Sequence, residues 1–156
     1  MSFSRELAEV LGEQLEVLKA LEAIAYDKTD IIIEDDVEAL ERLTKKEEGL
    51  INRLGMVEEK RIKLLDSWGL NMDISMSHIL DGVPDGKEEL LELQIALMEV
   101  LSHIQERNDL NRELIEDNLQ WLDFNMNLIS NVQSSTTYGK GNDDEKIGDS
   151  LFDRKV

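Results

Sequence analysis

The sequence predicts an all-α protein: an antiparallel, coiled-coil-like bundle of three long helices followed by a disordered C-terminal tail. Three observations support this fold class. Apolar residues recur at intervals of three and four over long stretches of the chain. The 156 residues include a single proline, Pro84, and charged residues make up 33% of them while aromatic residues make up only 4%. From Gln133 onward the chain is polar, contains glycine and shows no period, which is typical of disorder.

The first two helices are predicted at about residues 4–33 and 36–68. The first carries its apolar side chains on one face and its glutamates mostly on the other. An acidic run at residues 34–36 separates the two, and Asp35 stands three residues before Glu38, as in a capping box. The second helix has leucines at nearly heptad spacing. Because the connection is short, the two helices are expected to be antiparallel neighbours.

The third helix is predicted at about residues 85–132, after a connector in which the period breaks. Within the connector, Ser75 is placed to cap a short helical turn, and Pro84 between glycines indicates a turn. The predicted domains are therefore a helical bundle at residues 1–132 and a flexible tail at 133–156.

Charge and composition narrow the class of protein. The formal net charge of −18 argues against binding to nucleic acid or to an anionic membrane, because both require basic patches. No stretch approaches the ~20 apolar residues of a membrane span, so no membrane insertion is expected. The absence of cysteine is compatible with the cytoplasm. The nearest approach to a metal motif, Glu99 four residues before His103, occurs once, whereas a di-iron bundle needs paired motifs. We expect no catalytic residues, no metal and no cofactor.

Polar residues interrupt the apolar stripes of the second and third helices. Four asparagines of the third helix, at positions 108, 111, 118 and 125, fall within its apolar arc, which is unusual because a buried amide needs hydrogen-bond partners. On the second helix, Glu58 and Arg61 are three residues apart and are predicted to pair. We expect a buried polar layer between these two helices, which fixes their register. Its members are Glu47, Glu58, Arg61, Asn108, Asn111 and Asn118.

The end of the third helix is unusually apolar. At ~1.5 Å per residue the second helix is ~50 Å long and the third ~70 Å, so the final part of the third would extend past its neighbours. The apolar side chains there span about 200°, whereas one core contact needs about 100°. An uncovered face this wide marks a binding surface or an oligomer interface. The open alternative is that the helix kinks or that the first helix covers this face. The candidate binding residues are Leu119, Trp121, Leu122, Phe124, Leu128, Ile129 and Val132.

Three segments of the sequence resemble motifs of the FlgN family of flagellar export chaperones. The segment RLTKKEEGLINRLGMVEEKR at residues 42–61 is similar to the family's pattern of Glu-Glu/Lys, a leucine pair and Glu-x-x-Arg. The segment NDLNRELIEDN at residues 108–118 resembles its Asn-x-x-Asn signature. The segment TTYGKG at residues 136–141 resembles its Tyr-Gly-x-x-Gly element, with one residue fewer between the glycines. The resemblance covers most of the chain, with the segments in the family's order.

This resemblance implies a non-enzymatic cytoplasmic chaperone. Such a protein would hold hook-filament junction proteins of the FlgK and FlgL type before secretion and deliver them to the export gate protein FlhA. The resemblance also implies that the last helix binds the client and that Tyr138 takes part in docking at the gate. Two alternatives stay open. One is a structural coiled-coil adaptor that uses the same apolar face to form a homodimer, and the other is a flagellar chaperone for flagellin or the cap protein.

Overall fold

Three long helices and one short helix make up the part of the protein that the computed structural model describes, residues 2–134. Of residues 125 and 129–134 it describes the backbone only. The helices are α1 (Phe3–Ile33), α2 (Val37–Ser67), α3 (Met76–Gly82) and α4 (Lys87–Ser134). No strand occurs among the described residues. The predicted all-α fold with three long helices is therefore confirmed, and the predicted tail lies outside the described residues.

The first three helices begin at residues whose side chains cap them. The side-chain oxygens of Ser2, Asp36 and Ser75 each accept a hydrogen bond from the backbone N–H three residues later. The short helical turn predicted after Ser75 is thus confirmed as α3. The cap predicted at Asp35 is wrong by one residue, because Asp35 takes a left-handed φ of 56° within the turn and Asp36 caps α2.

α1 packs against α2 on one side and against the first half of α4, residues 87–111, on the other. Nine of the fifteen apolar residues that are buried in the described part of the chain belong to α1, whereas α2 buries only Val57 and Leu65. At ~100° per residue the nine positions span about 200° of the helix, enough for two partners. They are Leu7, Ala8, Leu11, Val17, Leu18, Leu21, Ile24, Ala25 and Ile32.

Polar contacts along α1 and α2 show that these helices run antiparallel. As the residue number rises on α1, the number of its partner on α2 falls. The contacts are Trp68 Nε1 to Glu6 Oε2 at 3.1 Å, Lys60 Nζ to Glu13 Oε2 at 3.0 Å and Lys28 Nζ to Glu47 at 2.8 Å.

α1 and the first half of α4 run parallel at a constant register. Three hydrogen-bonded pairs that are spread along the two helices are separated by 81, 81 and 82 residues. These pairs are Ser4 with Asp85, Glu22 with His103 and Thr29 with Asn111. The bonds of Arg107 with Thr29 and of Asn111 with Ala25, at 78 and 86 residues, lie one turn to either side.

The connector between α2 and α4 closes one end of the bundle. Ile79 and Leu80 of α3 join Leu7, Leu65 and Leu90 in one buried cluster. The turn into α4 requires glycine at position 86. Its φ is 71°, and an added Cβ would lie only 3.1 Å from the Cβ of Ser4.

The chain divides into two compact units. The first ends at Asn111 and contains α1, α2, α3 and the beginning of α4, and the second begins at Arg112. The predicted domain boundary between residues 132 and 133 stays a prediction. None of the helices, over the residues described, is long and apolar enough to cross a membrane.

Candidate functional site

Asn111 is a buried amide whose hydrogen-bonding groups are satisfied by α1. Its side chain is 4% exposed, and Nδ2 donates to the carbonyl oxygen of Ala25 at 2.8 Å. The hydroxyl of Thr29, which is also buried, donates to Oδ1 at 2.6 Å. Both ends of the amide therefore have a partner, so its burial does not leave an unsatisfied polar group.

Arg107 extends this cluster one turn toward the start of α4. Its guanidinium lies 4.0 Å from the centre of the Tyr26 ring, and Nη1 donates to the Thr29 hydroxyl at 3.5 Å. We call Ala25, Tyr26, Thr29, Arg107 and Asn111 the α1–α4 polar cluster. It joins the last turns of α1 to α4 at the end of the first unit.

The predicted polar layer between α2 and α4 is wrong in its partners. Asn108 and Asn118 are exposed, and Asn111 binds α1 instead of α2. Glu47 bonds to Lys28, and Glu58 accepts a hydrogen bond from Gln14, at 2.8 Å in both cases. Lys28 and Gln14 both belong to α1. The physical reason is that the polar positions within the α2 stripe face α1, which packs against both other helices.

The predicted pair of Glu58 and Arg61 is present. Arg61 Nη2 lies 2.6 Å from Glu58 Oε1, and Nε lies 2.9 Å from Oε2. Hydrogen bonding to Arg61 lowers the pKa of Glu58, with the Arg61 charge and Gln14 adding to the effect and partial burial opposing it. The same bond raises the pKa of Arg61. A carboxyl held in its charged form fits a structural ion pair and not a general acid.

Among residues 2–134, no three histidine or acidic side chains lie close enough together to bind a metal ion.

An exposed apolar surface lies on α4 between residues 115 and 128. Trp121 is 67% exposed and Phe124 61% exposed, although side chains of this size are usually covered. Leu119, within the same stretch, is half-buried. We call this set the α4 apolar surface; its members are Ile115, Leu119, Trp121, Leu122, Phe124, Met126 and Leu128.

The α4 apolar surface has two faces. Ile115, Leu119, Leu122 and Met126 follow one another at intervals of four, three and four, and they continue the stripe that packs on α1 earlier in α4. The second face consists of Trp121, Phe124 and Leu128 and lies about 160° away around the helix at ~100° per residue. Apolar side chains on two nearly opposite faces offer more surface than one neighbouring helix covers.

The structure places five of the seven candidate binding residues on this surface. Leu119 is half-buried there, and Trp121, Leu122, Phe124 and Leu128 are exposed. Ile129 and Val132 belong to α4, and their side chains lie outside the described part. Tyr138 lies outside the described residues altogether. Met126 belongs to the wide apolar arc that the sequence predicts there. Ile115 is not part of that prediction, although its spacing of four residues from Leu119 is a signal for it.

An exposed apolar stripe of this kind on a helix is typical of proteins that bind other proteins. Comparison with known proteins identifies the class and then the family. The protein is a flagellar export chaperone: the family described as FlgN protein matches residues 1–145, and the chain belongs to that family. It is also similar to the uncharacterized protein YvyG of Bacillus subtilis (strain 168), with 26% identity over an alignment of 139 positions that covers 85% of this chain and 87% of that protein. No solved structure matches the chain.

The α1–α4 polar cluster predicts that Asn111 contributes to stability. Asn111→Leu should lower the free energy of unfolding by about 1–3 kcal/mol, because it removes the two buried hydrogen bonds that Asn111 makes with Thr29 and Ala25. Asn108→Leu, the matched change at an exposed position three residues away, should alter it by less than about 0.5 kcal/mol. Urea unfolding followed by circular dichroism measures both values.

A second variant separates hydrogen bonding from packing. Thr29→Val combined with Asn111→Leu removes both partners, and should therefore recover most of the stability lost in Asn111→Leu alone. Equal losses for Asn111→Leu and Asn108→Leu would contradict the role of the cluster.

Proposed function

We propose that this protein holds a hook-filament junction protein of the FlgK or FlgL type in the cytoplasm and delivers it to the export gate protein FlhA. The client would bind the α4 apolar surface. The observation that supports this proposal is the exposure of Trp121 and Phe124. The neighbouring stripe, Ile115, Leu119, Leu122 and Met126, has the three-and-four spacing of residues that face a helical core. Membership of the FlgN family supports the general role of an export chaperone.

The packing of α1 on α4 in the first unit indicates how the client would bind. There the apolar stripe of α4 packs on α1 through Leu97, Val100 and Ile104. The same spacing of apolar residues continues as Ile115, Leu119, Leu122 and Met126. A client segment that forms an amphipathic helix would pack along this continuation as α1 packs along the earlier part, a helix-in-groove mode of recognition. Trp121, Phe124 and Leu128 would contact a second part of the client.

The charges on α4 favour a client with basic residues beside its apolar ones. Between residues 112 and 128 the helix has four acidic side chains, at positions 113, 116, 117 and 123, and one basic side chain, Arg112. Charges of this kind mainly accelerate association and exclude wrongly charged partners, whereas the apolar contacts supply most of the affinity.

The same arrangement accounts for release at the gate. A client segment that is disordered when free must be ordered on binding, and this ordering consumes part of the interaction free energy. The client is thus protected from self-association by burial of its apolar side chains, and the complex stays weak enough to be dissociated.

The α4 apolar surface predicts a specific loss of client binding. Trp121→Ala with Leu128→Ala should weaken binding of a FlgK-type junction protein at least about 100-fold, because truncating two central apolar side chains costs about 2 kcal/mol each. Titration calorimetry measures the affinity, and far-UV circular dichroism should show unchanged helix content.

The matched control is a pair of exposed apolar residues earlier on the same helix. Ile95 and Met98 are 51% and 63% exposed, and Ile95→Ala with Met98→Ala should leave client affinity unchanged. If both double variants bind equally well, the client site is elsewhere. Light scattering of the free protein tests the adaptor alternative. If the protein were a structural adaptor, it would be a dimer, and Trp121→Ala with Leu128→Ala would dissociate it. Pulldown with flagellin and the cap protein tests the other clients.

We propose that Tyr138 docks at the export gate protein FlhA, because residues 136–141 resemble the family's tyrosine-glycine element. Tyr138→Ala should preserve client affinity and abolish binding of the client complex to the cytoplasmic part of FlhA, measured by calorimetry. Tyr138→Phe, the matched control, should keep much of the binding if the ring supplies the contact. Loss of client affinity in Tyr138→Ala would instead assign the residue to the client site.

A further inference from the structure

A cleft opens where the start of α1 meets the end of α2, the connector and α3. Its volume is about 370 Å³, toward the lower end of the range of ligand pockets. The walls are mainly apolar and include Phe3, Trp68, Leu70, Ile74, Val83 and Pro84. We call it the connector cleft. It belongs to the first unit, so none of its walls comes from the α4 apolar surface.

The walls of the connector cleft are held in place by contacts within the protein. The rings of Phe3 and Trp68 meet edge to face, with centroids 5.5 Å apart. Trp68 Nε1 donates to Glu6 at 3.1 Å, and the Ser4 hydroxyl donates to the carbonyl oxygen of Asp85 at 2.9 Å. Trp68 is nevertheless 49% exposed, so one wall of the cleft is open to a partner. Because the site is preformed, little ordering of the protein opposes binding.

The chain around the cleft is acidic. From residue 64 to residue 86 there are four aspartates, at positions 66, 73, 81 and 85, and neither lysine nor arginine. Asp85 itself lines the cleft, as does His78. An apolar cleft inside an acidic stretch favours a ligand that has an apolar centre and positively charged flanks.

We propose that the connector cleft binds a short segment of a partner protein in which one or two large apolar side chains are flanked by lysine or arginine. The volume fits side chains such as leucine and phenylalanine, and charge complementarity selects the flanks. This second site does not depend on the proposed client site, since the residues of the two sites are different. It gives the chaperone a way to contact a second protein while its α4 apolar surface is occupied.

Trp68 allows a direct test. The protein has two tryptophans, and Trp121→Phe leaves Trp68 as the single tryptophan, whose emission is distinct from that of the two tyrosines. The full chain with this change is titrated with a synthetic peptide in which a Leu-Phe pair is flanked by lysines. We expect a saturable change in Trp68 emission that weakens as the salt concentration rises. Peptides with glutamate flanks, or with Ala-Ala in place of Leu-Phe, should not bind.

Gly82 provides a variant that fills the cleft without disturbing the fold. Gly82 lies in the wall of the cleft, and a Cβ added there meets no atom within 4 Å. Gly82→Leu should weaken the lysine-flanked peptide at least about tenfold, since it occupies the space of the apolar side chain. Gly55→Leu in α2 is the matched control, because Gly55 also has open space around it and does not line the cleft. Both changes replace glycine in a helix by a better helix former.

Three results would overturn the proposal. The first is equal peptide affinity in Gly82→Leu and Gly55→Leu, and the second is binding of the glutamate-flanked peptide as tightly as the lysine-flanked one. The third is a change in Trp68 emission when residues 151–156 are deleted, which would show that the chain's own Leu151-Phe152 segment fills the cleft. In the protein that retains Trp121, affinity for the junction protein should be the same with Gly82→Leu, with Gly55→Leu and with residues 151–156 deleted. Failure here is therefore distinguishable from failure of the client site.

Discussion

Asn111 is buried and hydrogen-bonds to Thr29 and Ala25, and these bonds fix the register of α1 on α4 within the first unit. Amides are costly to bury, and this one is stable in the core only where α1 presents an acceptor and a hydroxyl together. A shift of α4 by one residue would rotate the amide by ~100° and break both bonds. The pairs Ser4 with Asp85 and Glu22 with His103 keep the same offset, so the whole length of α1 is fixed against α4 at a single register.

The packing of α1 on α4 within the first unit bears on the proposed function. α1 has buried positions for two neighbours, and the apolar stripe of α4 that packs on it has the same three-and-four spacing in residues 115–126. Trp121 and Phe124 add a second exposed face. Under the proposed function, a client segment that is unfolded when free would order as a helix on this exposed apolar face when it binds.

Much of the fold could be predicted from the sequence, because three-and-four spacing, a single proline and capping residues each act locally. The partners of the polar residues could not, because they depend on the register between helices. Asn108 and Asn111 are identical residues three positions apart. Asn111 is buried because it lies opposite Thr29, whereas Asn108 is exposed. Glu47 of α2 was predicted to face α4, because the sequence does not show the register between helices. Its partner is Lys28 of α1. The α4 apolar surface was predictable from the width of its apolar arc, whereas the connector cleft, built from four separate segments, had no local signal.

Amide hydrogen exchange along α4 is the most direct test of the central proposal, that a junction protein binds the α4 apolar surface. In the free protein, residues 95–107 should exchange slowly and residues 115–128 at least about tenfold faster, because local opening is easier where fewer buried contacts oppose it. A bound junction protein should slow exchange in residues 115–128 and leave residues 95–107 unchanged. Equal and slow exchange along the whole helix of the free protein, with no further protection by the client, would contradict the account.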